Sequence, residues 1–83
     1  MWSTKMTEAE MQEMAFWAAW KSFDLLCSWP SDDPEGMAAH LEKARRYVAL
    51  SGFSVREMIE DRYRREDGML KRGDFLLTAF GLN

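Results

Sequence analysis

Eighty-three residues make one domain, and a chain this short buries only about 60–65% of its unfolded surface, so its core has to be dense in large apolar side chains. The composition supplies them: 47% of residues are hydrophobic, with four Trp and five Phe, and the formal net charge is −3. A single cysteine excludes an internal disulfide, a single histidine beside it leaves a typical zinc site short of ligands, and no glycine loop suited to phosphate is present.

The N-terminus lacks a basic region followed by an apolar run, and the longest uncharged run in the first helix, Met14 to Trp20, is far below a membrane span. The expectation is a cytoplasmic protein with no membrane partner. Charge is unevenly spread. Residues 1–36 carry Lys5 and Lys21 against seven carboxylates, a net of −5, whereas residues 37–83 carry nine Lys/Arg against seven, a net of +2. Such polarity is something a partner can read.

Residues 1–6 have no periodicity and are expected to be a loose tail, with Trp2 able to tuck onto the core. The first helix is expected over 8–28. Thr7 and Glu10 have the spacing of a capping box, in which each side chain accepts from the other's backbone N–H, and Pro30 supplies the stop. Turned at about 100° per residue, Glu13, Lys21, Asp24 and Ser28 share one narrow arc, and the apolar sector covers about two-thirds of the girth, against a little over ~100° for a typical surface helix. That rod has to be covered from at least two sides, by later helices or by a second copy. Trp17 is the anomaly, because it falls inside the polar arc between Glu13 and Lys21. Cys27 falls on the apolar side and is expected to pack.

The acidic connector Pro30 to Gly36 contains Asp33-Pro34, which suits an N-cap and first helical residue. It lacks the alternating oxygen ligands of a calcium loop, so Asp32, Asp33 and Glu35 are expected to cap and to complement the helix dipole. The second helix is expected over 34–50, with Met37, Leu41, Ala44 and Val48 in one stripe, His40 and Tyr47 beside it, and Gly52 as a left-handed terminator. The third is expected over 55–66. Ser54 and Glu57 form a second capping box, Phe53 can staple onto Met58, and Val55, Met58, Ile59 and Tyr63 face inward. After a short turn from Met69 to Arg72, Gly73 is expected to break the chain and Asp74 to cap a last helix over 74–80, ended by Gly81. The expected fold is all-α, a small bundle of about four helices around a long, mostly apolar N-terminal one.

Three functional classes compete. Nucleophilic catalysis needs Cys27 or a Ser beside a general base, and Cys27 and His40 both fall on packing positions, so no catalytic residue and no cofactor or metal is expected. A protein-interaction module comes first. A large exposed aromatic flanked by charge is typical of contact hot spots, which makes Glu13, Trp17, Trp20, Lys21 and Asp24 the expected protein-contact residues. The partner would be another protein or a nucleoprotein complex, with homodimerisation through the first helix as one form of it. Small acidic helical proteins without catalytic equipment include phage and plasmid inhibitors of host complexes, anti-CRISPR proteins among them. This places a stoichiometric regulator or inhibitor first among the functions expected.

The alternative is nucleic acid. Gly52-Phe53-Ser54-Val55-Arg56, followed by Arg65-Glu66-Asp67-Gly68-Met69-Leu70, resembles the start of MerR-type regulators and some excisionases over about a fifth of the chain. The junction from Ala49 to Met58 has the layout of a helix-turn-helix, and by their charge Arg45, Arg46, Arg56, Arg64 and Arg65 are the residues that could supply a phosphate-contact patch. The sequence departs from that pattern at Asp61, where an apolar residue is usual, and in the length of the helix before Gly68.

Overall fold

The computed structural model describes residues 7–63 and 69–82. Among them the chain is all-α: α1 (Glu8–Cys27), α2 (Pro34–Ser51), α3 (Val55–Tyr63) and α4 (Leu70–Ala79), with no strand. The tail expected over 1–6, Trp2 included, and the last turn expected of the third helix, 64–66, lie outside the described residues. None of the four helices is long and apolar enough to cross a membrane.

The helix starts form where local chemistry dictates. At Thr7 the hydroxyl accepts from the Glu10 backbone N–H at 3.2 Å, and the Glu10 carboxylate accepts from the Thr7 N–H at 3.2 Å. The reciprocal bonds satisfy N–H groups that a helix start leaves unpaired. Asp33 accepts from Gly36 N–H at 3.0 Å and opens α2. Ser54 and Glu57 repeat the reciprocal arrangement at α3, at 3.1 and 3.2 Å. The ends are equally local. Gly52, at φ 84°, turns the chain left-handed after α2. Gly81, at φ 74°, lets Leu82 N–H reach Leu77 O at 2.8 Å, which closes α4 with a six-to-one hydrogen bond.

α1 and α2 form an antiparallel hairpin. Trp29 secures its closed end: the indole N–H donates to Asp33 O and Oδ2, at 3.2 and 3.3 Å, and the ring stacks on His40 at 5.0 Å. At the open end Gly52 lies beside Gln12. α3 and α4 pack together and close over the C-terminal half of α1. The core joins Ala19, Phe23 and Leu26 of α1, Ala44 and Val48 of α2, Met58, Ile59 and Tyr63 of α3, and Leu76 and Phe80 at the end of α4. Phe23 and Phe80 meet edge to face at 5.7 Å. Met37, Leu41, Val55 and Cys27 are half-buried around it, so the inward stripes of α2 and α3 and the packing position of Cys27 are as the sequence indicates.

One expectation is corrected. Gly73 does not break the chain and Asp74 caps nothing: α4 begins at Leu70 and runs through both. Gly73 is buried, and a Cβ there would sit 3.0 Å from the Tyr63 Cβ and 3.9 Å from Ile59 Cγ2. The missing side chain is what allows α4 to approach α3 so closely. Of the two kinds of cover expected for α1, later helices or a second copy, the described helices supply it on the core side, and Met11, Met14, Trp17 and Leu25 remain 49–61% exposed.

Candidate protein-contact surface

The direction of the core on α1 is set by Ala15, Ala19, Ser22, Phe23 and Leu26, all buried. At 100° per residue, Trp17 points almost diametrically away from it. Its indole is 57% exposed, yet it is not loose. Phe16 and Trp20 stand edge-on to it, at 5.9 and 5.1 Å, and Phe16 also packs on Trp20 and on Phe53 of the α2–α3 turn, at 4.7 and 5.3 Å. These rings hold the indole in one orientation before any partner arrives, which reduces the entropy lost on docking. Phe53 thus packs on α1, with 49% of its surface exposed.

On the other flank, Met11, Met14, Ala15 and Ala18 face Tyr47 and Leu50 across an open groove of about 660 Å³. Met14 and Leu50 are 61% and 57% exposed. Met14 borders this groove and lies three residues, about one turn, before Trp17. Every residue from Glu8 to Met14 is exposed.

The five residues singled out as protein contacts separate into two groups. Glu13, Trp17 and Lys21 lie on one exposed row, one helical turn apart, and neither charge forms an ion pair among the described residues. Asp24 and Trp20 are drawn into an intramolecular clamp. Asp24 accepts from Arg62 Nη2 at 3.0 Å and from the Tyr63 hydroxyl at 2.8 Å. The Arg62 guanidinium lies 4.5 Å over the Trp20 ring. Burial pushes the Tyr63 hydroxyl well above the usual phenol range, and the Asp24 carboxylate it donates to pushes it further. Arg62 and Tyr63 carry no signal of this role in the sequence, because they lie 38 and 39 residues from Asp24. Leu50 and Phe53 join the surface without having been expected there, although Phe53 sits at a turn tip between a left-handed glycine and a cap, where exposure is the rule.

The arginines are less unified. Arg45 donates to Phe80 O at 3.3 Å and lies over the Phe80 ring, while Arg56 donates to Leu82 O. Both secure the end of α4, and each also has a carboxylate nearby, Glu42 and Glu60. Arg46 is exposed, and Arg64 and Arg65 lie outside the described residues. Of the groups with nucleophilic or basic chemistry, burial pushes the Cys27 thiol up, and burial with the charge of Lys43 pushes His40 down. At neutral pH one is a protonated thiol and the other a neutral imidazole stacked on Trp29.

No family model, no curated protein and no solved structure matches the chain.

Proposed function

We propose that the protein is a non-enzymatic interaction module, acting stoichiometrically as a regulator or inhibitor of a macromolecular complex, and that its binding surface is the uncovered side of α1. One observation carries this reading: the Trp17 indole stands exposed, with Phe16 and Trp20 edge-on to it and the exposed Met14, at the rim of the Met11–Leu50 groove, one turn away. Large apolar groups left in water without a covering element mark interaction sites, and a rigid aromatic at the centre is the usual anchor. The methionines add side chains that adapt to the shape they meet. A half-buried free thiol suits the reducing interior of a cell, which supports a cytoplasmic setting. Inhibition of a host defence complex, as by an anti-CRISPR protein, is one form this function takes.

Nucleic acid is the second reading. The glycine-ended, doubly capped turn between α2 and α3 supports it, with Arg46 exposed nearby in sequence. Capture from nuclease-treated host lysate with wild type and Trp17→Ala separates the two. Protein retained by wild type and reduced at least about tenfold by the variant supports the first reading. Capture that disappears with nuclease, or that is indifferent to Trp17, contradicts it.

A further inference from the structure

The row Glu13–Trp17–Lys21 has an acid at one end, a base at the other and an aromatic in the middle. Each charge lies one turn, about 6 Å, from the indole position. A two-fold axis through Trp17 exchanges the two ends. It sets Glu13 of one copy opposite Lys21 of the other, twice, with the two indoles facing at the centre. Self-complementarity of this kind is what an isologous interface requires. Two acids or two bases would instead repel across the axis.

We infer that the uncovered side of α1 pairs with the same side of a second copy of this chain, antiparallel, about a two-fold axis at Trp17. The inference rests on the reading of this surface as a binding face and supplies its first occupant. Three observations bear on it. Glu13 and Lys21 are exposed and form no ion pair among the described residues, so neither has to leave a partner there. Trp17 is exposed but held by Phe16 and Trp20, so little order is lost when it is covered. Residues four apart form a ridge inclined about 26° to the helix axis, so two such ridges laid side by side cross the helices at about 50°, the commonest packing class. At that angle contact is confined to the central turns, where this row lies, and Met14 of each copy falls at its edge.

Charge exchange tests the arrangement. Sedimentation velocity is run on wild type, Glu13→Lys, Lys21→Glu, the double exchange, and an equimolar mixture of the two single variants. The wild type is expected to dimerise. Each single variant places two like charges across the axis twice and is expected to dimerise about tenfold more weakly or worse. The double exchange restores both opposite-charge pairs. The mixture gives a heterodimer, since a row with a base at each end then faces a row with an acid at each end. All substituted positions are exposed, so helicity by circular dichroism is expected to be unchanged. A wild type that stays monomeric at high concentration overturns the inference, as do single variants that dimerise like wild type or a mixture that does not associate. The binding-face reading is judged separately: a monomeric wild type that still captures host protein through Trp17 refutes the pairing and leaves that reading standing.

Discussion

In its C-terminal half α1 buries Ala19, Phe23 and Leu26 against the other helices and is clamped at Asp24; from Glu8 to Met14 the same helix has every residue exposed. The exposed stretch sets three glutamates and Gln12 among Ala9, Met11 and Met14, so its own polarity separates it from the buried one, and so does the number of neighbours that reach it. The core of α3 and α4 meets α1 at Ala19, Phe23 and Leu26, while the N-terminal half meets the end of α2 and the Phe53 ring. In a chain of this size composition says how much could be covered, and the length of the covering elements decides which part is. α1 thus holds the fold through its core-facing side, chiefly in its C-terminal half, and offers a surface along the opposite side and the N-terminal turns.

The largest effect is expected where the buried half is hollowed. Phe23 is fully buried, and Phe23→Ala should destabilise the fold by about 3–5 kcal/mol in urea unfolding. A loss under about 1 kcal/mol would mean that the centre of the core lies elsewhere. A smaller effect is expected at the clamp. Asp24→Ala leaves the buried Tyr63 hydroxyl without its acceptor and Arg62 without its carboxylate. The expected loss is about 1–2 kcal/mol, held down because Asp24 itself is partly solvated.

The clamp also has a pH signature. An unfolded tyrosine ionises at about pH 10. Tyr63 is held protonated above that in the folded chain. Above that pH the unfolded state therefore binds fewer protons than the folded state. The stabilisation is complete below pH about 10 and is lost as pH rises beyond it. Urea midpoints from roughly pH 8 to 11 should fall at the alkaline end, and more steeply in wild type than in Tyr63→Phe. Equal slopes would remove Tyr63 from the balance.

Much of the fold is legible in local spacing. Thr7 with Glu10, Asp33 with Pro34, Ser54 with Glu57 and Gly52 each act within four residues, so the sequence carries the whole interaction. Gly73 shows where that ends. A glycine followed by an aspartate serves equally as a break with a cap or as a contact point inside a helix, and the choice is made by Tyr63 and Ile59 on another helix. The candidate site divides in the same way. Trp17 is legible because an aromatic in a polar arc is conspicuous on one helix alone. The engagement of Asp24 and Trp20 is not, because Arg62 arrives from α3. Nor is the exposure of Met11, Met14 and Leu25, since their apolar character matches that of the buried positions and only where the other helices pack against α1 distinguishes them.

The smallest effect, and the most direct test, concerns the exposed half. The double substitution Met14→Glu with Trp17→Glu adds two charges to α1 where a core position would not tolerate one. Urea unfolding of this variant, at a concentration low enough for the wild type to be monomeric, should give a free energy within about 2 kcal/mol of wild type, because both side chains face water and only the edge contacts of Trp17 with Phe16 and Trp20 are lost. A loss of about 3 kcal/mol or more would show that this half of α1 belongs to the core and is no binding surface.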